Sequence, residues 1–164
     1  MSRSETTRVP ETRRVLIDAL NVAYWCGNPP SLRLPITLMA QLLSDGHTAL
    51  LYFDASAPHA LKHELELYMQ LMQSQHCIQM PSGRSADGEM LRAARASGAC
   101  IVSRDHFSDH RRRYRKLIDD PSRLLPGWVA ENHLLVPALG LKTPLPASAS
   151  EALTQLLPLL PRAS

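Results

Sequence analysis

V-L-I-D-A-L-N, residues 15–21, runs three aliphatic side chains straight into an aspartate, with an asparagine three positions later. Val15, Leu16 and Ile17 show no polar alternation, so the segment reads as a strand covered on both faces, the kind found inside a parallel sheet. Asp18 then stands at the carboxyl end of that strand, where open parallel sheets gather their ligands.

The same pattern repeats outward from this segment. Strands are predicted over 14–18, 48–54, 77–80, 100–103 and 133–137, alternating with helices over 35–43, 58–75, 87–97 and a basic helix over 106–118. Pro35 suits a helix start, and Gly46 and Gly98 suit helix ends. Leu61, Leu65, Tyr68 and Met72 fall at helical spacing and read as core packing. Asp18 itself is followed by no helix pattern for more than a dozen residues. Strands and helices in alternation predict an α/β three-layer sandwich with a central, mostly parallel sheet. Residues 14–141 form the expected domain. Residues 1–13 read as a polar N-terminal tail, and 142–164 as a Pro- and Ala-rich C-terminal tail with a short apolar helix.

Composition narrows the setting. A chain of 164 residues, 45% apolar, supports one core. Eighteen Lys and Arg against fifteen Asp and Glu give +3, and a pI near 9.0 leans toward anionic partners. Cys26, Cys77 and Cys100 form no C-x-x-C pair, which argues against a disulfide framework or zinc knuckle and fits a reducing, cytoplasmic setting. No apolar run is long enough to span a membrane, and no membrane partner is expected. No P-loop or G-x-G-x-x-G occurs, so no nucleotide cofactor is expected. His59/His63 and His106/His110 have i, i+4 spacing but lack the metalloprotease glutamate and a third ligand.

Asp18, Asp54, Asp87 and Asp105 each fall just after a predicted strand or at the start of a helix, and Asp109 lies four residues beyond Asp105. Each alone suits a helix cap or loop. Together on one sheet edge they repel one another unless a cation neutralises them, which implies a metal. Oxygen-only donors favour Mg²⁺ or Mn²⁺, and phosphodiester hydrolysis is the natural chemistry. Asp18 and Asp105 are candidate ligands of one ion, and Asp87 or Asp109 of a second ion or of the attacking water. Asn21 and Ser103 are candidate donors beside them.

D-A-L-N (18–21), A-D-G-E-M-L-R-A-A-R-A-S-G-A-C-I-V-S-R-D (86–105) and H-F-S-D (106–109) together resemble the PIN-like NYN ribonucleases, in particular the Regnase-like branch. That pattern runs D-x-x-N-V, then D-D, then V-S-N-D-x-x-x-D, and the likeness covers roughly residues 14–140. It implies a PIN-like fold and a metal-dependent endoribonuclease, with Asp18, Asp87, Asp105 and Asp109 in the acidic site and Asn21 beside it. Two positions depart from the pattern: Ala86 replaces the first acid of the D-D pair, and Arg104 replaces the asparagine of S-N-D. Asp54 is the candidate replacement for the missing acid.

R-R-R-Y-R-K (111–116) places Arg111, Arg112, Arg113, Arg115 and Lys116 right after the last acids, where they are candidates to hold RNA phosphates. Arg84 is a further phosphate candidate, and Trp25 a candidate base-stacking surface. The leading expectation is hydrolysis of single-stranded RNA. Its main alternative is a catalytically weak RNA-binding module with the same fold, its metal lost with the acid at position 86. A receiver-like signalling domain fits poorly, because R-V-L-I-D carries no acidic pair and no lysine follows the last strand. The acids alone suit a DNA flap nuclease or a phosphatase as well. Homo-oligomerisation is left open by the sequence.

Overall fold

The structure is a computed structural model that describes residues 11–161. Most of the expected N-terminal tail, residues 1–10, therefore lies outside the described residues. Five parallel strands form the central sheet: β1 (Arg14–Asp18), β2 (Thr48–Phe53), β3 (Cys77–Gln79), β4 (Cys100–Val102) and β5 (Leu124–Leu125). Their order is β3-β2-β1-β4-β5. The chain steps outward from β1 to β3 and then crosses back to β4 on the other side. Strand order thus reverses between β1 and β4, and in open α/β sheets that crevice is where ligands bind.

Side-chain alternation along the strands explains the three layers. Val15 and Ile17 of β1 enter one core with Leu51 and Phe53 of β2, against α2 (Arg33–Ser44) and α4 (Leu65–Leu71). Leu16 and Tyr52 face the opposite way, into a second core with Met90, Leu91 and Ala94 of α5 (Ala86–Ser97) and Leu117 of α6 (Arg115–Ile118). Both faces of the sheet are covered, which is why its strands carry almost no polar residues.

Several expected elements differ. A five-residue helix, α1 (Ala19–Ala23), begins immediately after Asp18, where the sequence carries no helix pattern. It is too short for periodicity to register, and Val22 and Ala23 bury simply because the chain must leave the sheet there. The long helix expected over 58–75 is broken into α3 (Ala57–Ala60), a 3₁₀ turn and α4. The break follows from Glu64, whose carboxylate accepts hydrogen bonds from Ser31 Oγ (2.8 Å) and Leu32 N (2.7 Å) near the start of α2. The predicted stripe is consequently uneven: Leu61 and Tyr68 are buried, but Leu65 is 42% exposed. The basic helix expected over 106–118 is instead a 3₁₀ turn (Ser108–His110) followed by the four-residue α6. Phe107, buried and left-handed at φ 51°, interrupts it.

The predicted strand at 133–137 is β7 (His133–Val136), yet it does not join the parallel sheet. It pairs antiparallel with β6 (Trp128–Ala130) and β8 (Leu141–Pro144). The fifth central strand is β5, whose two residues are too few to stand out in a sequence.

The expected C-terminal tail is part of the domain through Pro161. Residues of β8 and of α7 (Ala149–Leu156) enter the main core: Leu141, Leu145, Ala149, Ala152, Leu153 and Leu156 are all buried there, with α7 against α2. Arg33 anchors the connection by donating to Pro146 O at 2.7 Å. Pro and Ala marked this stretch as loose, but its leucines lie on one face of a short helix and cover α2. At the other end, Arg13 N donates to His47 Nδ1 at 3.0 Å, so the ordered domain starts before β1. Among the described residues, no helix is long and apolar enough to cross a membrane.

Candidate active site

Asp18 ends β1 at the edge of the crevice between β1 and β4, and only 6% of it is exposed. Ser103, buried just past the end of β4, donates from Oγ to Asp18 Oδ2 at 2.7 Å. The same Oγ accepts from Asp105 N at 3.0 Å. A single hydroxyl thus ties the end of one strand to the acid that follows its neighbour. Asp105 is further fixed by accepting from Phe107 N at 3.1 Å, a tight local turn that the left-handed Phe107 completes.

The third acid arrives on a helix. Ser85 caps α5, its Oγ accepting from Asp87 N (3.1 Å) and Gly88 N (3.4 Å). This is a favoured use of serine at a helix start, and it presents Asp87 in the first turn. Carboxylate oxygens of Asp18, Asp87 and Asp105 all lie within 4.8 Å of one another. Asp54, following β2, accepts from Ala86 N at 3.0 Å. It therefore shares the capping of α5 and stands beside the cluster without belonging to its closest three.

The electrostatics follow from this crowding. Burial, followed by the negative charges of Asp87, Asp54 and Asp105, pushes the Asp18 carboxyl up from 3.8 to about 7, against the lowering effect of the Ser103 hydrogen bond. Asp87 is pushed up to about 6, first by burial and then by Asp105 and Asp54, with Asp109 adding a smaller push; His110 opposes the rise. Asp87 also sits in the first turn of α5, where the helix dipole favours a negative charge. Its pKa still rises, so burial and carboxylate repulsion outweigh the dipole. Asp109 is exposed on the 3₁₀ turn and stands outside the closest three.

Asn21 is held beside the acids through its side-chain oxygen. Its Oδ1 accepts from Arg104 N (2.9 Å) and from Trp25 Nε1 (3.1 Å). Both partners are obligate donors, which fixes the orientation of the amide. Asn21 therefore holds the loop after β4 in place, and its Nδ2 is the end left to meet a carboxylate or phosphate. Trp25 is likewise a packing residue. Its ring lies so close to Gly127 that a Cβ there would fall 2.7 Å from it, so the indole is covered on that side instead of offering a stacking face. Arg104, at the asparagine position of the motif, contributes its backbone N–H and leaves its side chain exposed.

The basic segment divides. Arg111 makes a two-pronged ion pair with Asp119, at 2.6 and 2.9 Å, and so is engaged within the protein. Arg112, Arg113, Arg115 and Lys116 are exposed, as is Arg84 in the turn before α5. His110 and Ser85 were missed as members of the site. Ser85 carried a readable signal, a serine immediately before a helical pattern. His110 did not, since only the turn at Phe107 brings it against Gly88.

Three carboxylates converging on a strand-order reversal can hold a cation and present it to an anionic substrate. The model for the Zc3h12a-like Ribonuclease NYN domain matches residues 11–143. Two solved structures of nuclear protein-only RNase P 2 (PRORP2) from Arabidopsis thaliana are similar in fold. One has a TM-score of 0.58 at 17% identity over 85% of this chain, the other 0.55 at 14% over 84%. The chain spans 31% of the length of either. No curated protein sequence matches at significance. The family match begins ahead of β1 and continues into β8, taking in every acid of the cluster, and the chain belongs to the Zc3h12a-like ribonuclease NYN domain family.

Proposed function

We propose that this domain is a divalent-metal-dependent endoribonuclease that hydrolyses phosphodiester bonds of single-stranded RNA at the Asp18, Asp87 and Asp105 cluster. The observation that carries this reading is the approach of three carboxylates to within 4.8 Å, one of them almost wholly buried and raised to about 7. A buried acid so destabilised as an anion calls for a cation. The donors within that group are all oxygen, which fits Mg²⁺ or Mn²⁺ better than zinc. Asp18, Asp87 and Asp105 would hold the ion. When bound, it supplies charge stabilisation at the scissile phosphate and acidifies an attacking water.

The chain's own residues supply the rest. Ser103 aims Asp18 and Asp105 together. Asp109 and Asp54 add negative charge around the cluster and are the candidates for a second ion or for orienting water. Asn21 Nδ2 and Arg84 are donors for the substrate phosphate.

A second reading rests on Ala86, whose buried methyl stands where the family pattern has an acid. On that reading the domain binds RNA and cleaves it weakly. Labelled single-stranded RNA, duplex RNA and single-stranded DNA, incubated with and without EDTA, separate the two. EDTA-sensitive internal cleavage of single-stranded RNA supports the nuclease, provided that Asp18→Asn abolishes it. RNA retention with no cleavage in Mg²⁺ or Mn²⁺ supports the binding module.

A further inference from the structure

Two hollows lie side by side next to the acidic cluster. The nearer, about 380 Å³, is lined by Arg84, Ser85, Gly88, His110 and Arg113 among others. It adjoins the acids through Gly88 and His110, the residues that follow Asp87 and Asp109. The farther, about 520 Å³, gathers Arg95, Arg112, Arg113, Arg115, Lys116 and Arg123 around a single acid, Asp120. Arg113 and Tyr114 belong to both walls, so the hollows adjoin one another.

The farther hollow is organised around Tyr114. The ring is 6% exposed, too covered to stack on a base. It instead carries the Arg95 guanidinium 4.6 Å from its centroid and that of Arg113 at 5.9 Å. Such contacts restrain two long side chains that would otherwise sweep through solvent. Arg123 is pinned by donating to Ala94 O (2.7 Å) and Ala99 O (3.1 Å) around the end of α5. Asp120 is occupied by Ser122, which donates to it from both N and Oγ. Among the described residues the only ion pairs are Arg92 with Glu89, and Arg111 and Arg115 with Asp119. Arg95, Arg112, Arg113 and Lys116 therefore share one hollow with no carboxylate among the described residues paired to any of them. That arrangement is relieved by an anion, and planar guanidiniums match phosphate oxygens.

We propose that the farther hollow holds backbone phosphates of an RNA strand whose scissile bond lies at the acidic cluster, the strand passing over Arg113. The proposal rests on the ribonuclease reading and adds a second, remote grip to it. The grip is made of guanidinium and ammonium groups around a covered ring, so it reads phosphates and not bases. Only an RNA long enough to cross the nearer hollow reaches it.

The test is fluorescence anisotropy in EDTA with labelled single-stranded RNAs of about 4 and about 16 nucleotides, the lower and upper site sizes known for single-strand-binding OB folds. Wild-type protein is compared with Arg112→Glu/Lys116→Glu, two exposed positions, with circular dichroism as the check on folding. Arg112→Gln/Lys116→Gln replaces it, with the same expected direction, if reversed charge perturbs the fold. Wild type is expected to bind the long RNA at least tenfold tighter than the short one. The variant is expected to lose that advantage, to bind the short RNA as wild type does, and to show a log-log salt slope shallower by about 1.4 for two lost phosphate contacts. An unchanged affinity for the long RNA, or an equal loss for both lengths, overturns the proposal. Mn²⁺-dependent cleavage without any length advantage in wild type overturns the remote grip and leaves the ribonuclease reading standing. Absence of both binding and cleavage overturns the two together.

Discussion

The acidic cluster and the basic hollow concentrate like charges by opposite means. Asp18 and Asp105 follow neighbouring strands and are tied together through Ser103, while Asp87 is set by the cap of α5. Short side chains on rigid elements leave them nowhere to retreat. The cations of the hollow stand on long, mostly exposed side chains, steadied by Tyr114 and the end of α5. Electrostatic tension is therefore stored chiefly at buried Asp18 and half-buried Asp87, where lower dielectric magnifies it, and dissipated among the solvated cations. On the reading proposed above, one region would take a compact ion and the other would grip a long anion loosely.

The largest expected effect breaks the acidic half. Asp18→Asn is nearly isosteric but removes the most buried charge, and should lower metal-dependent RNA cleavage by about a thousandfold, the equivalent of several kcal/mol of lost ion-mediated stabilisation. Single-turnover cleavage in Mg²⁺ measures it; a variant within a few-fold of wild type would remove Asp18 from the chemistry.

Stability against pH tests the same tension without metal or RNA. The Asp18 carboxyl titrates at about 7 in the folded protein against 3.8 ordinarily, so the neutral acid is the form that folding favours. Its contribution is complete below pH about 4 and is lost as pH rises through 7. Asp87, at about 6, acts in the same direction. Denaturation in EDTA should show wild type losing on the order of 4 kcal/mol of Asp18's contribution between pH 4 and 8. Asp18→Asn should show a markedly flatter profile. Parallel profiles for the two proteins would mean that the repulsion is relieved by some other means.

Ser103→Ala asks how much of the acidic geometry one hydroxyl maintains. Loss of a group that orients ligand carboxylates typically costs 10- to 100-fold in metal affinity, and calorimetric titration with Mn²⁺ should show a loss in that range. Affinity equal to wild type would assign the alignment to the strands alone.

Arg111→Ala, the smallest change, sharpens the basic half. Its ion pair with Asp119 is exposed and should contribute no more than about 1 kcal/mol to stability. RNA affinity at moderate salt should change less than twofold, in contrast to Arg112→Ala. A loss as large as that of Arg112→Ala would show that RNA displaces Asp119.

Much of the central architecture was legible in the residues. V-L-I-D, T-A-L-L-Y-F and C-I-V are apolar runs bounded by polar turns, so strands β1, β2 and β4 and the placing of Asp18 at a strand's end could be read directly. So could the order of motifs that carried the family resemblance. The elements that escaped are those whose identity depends on partners. β5 has two residues, and the helix over 58–75 was broken by a glutamate bonded to distant Ser31 and Leu32. The apolar segment after 142 looked like a tail until α2 offered it a surface.

The sequence by itself determined the fold class, the family and the acids available to the candidate site, because hydrophobic periodicity and the spacing of acids are local properties of the chain. Only the tertiary structure decided which acids meet. It drew Asp18, Asp87 and Asp105 together and left Asp109 at the rim. It engaged Asn21 with Arg104 and Trp25, and paired Arg111 with Asp119, while Arg112 has no carboxylate partner among the described residues. Those distinctions turn on distances of a few ångströms between residues dozens of positions apart, set by strand order and by where a turn such as Phe107 redirects the backbone.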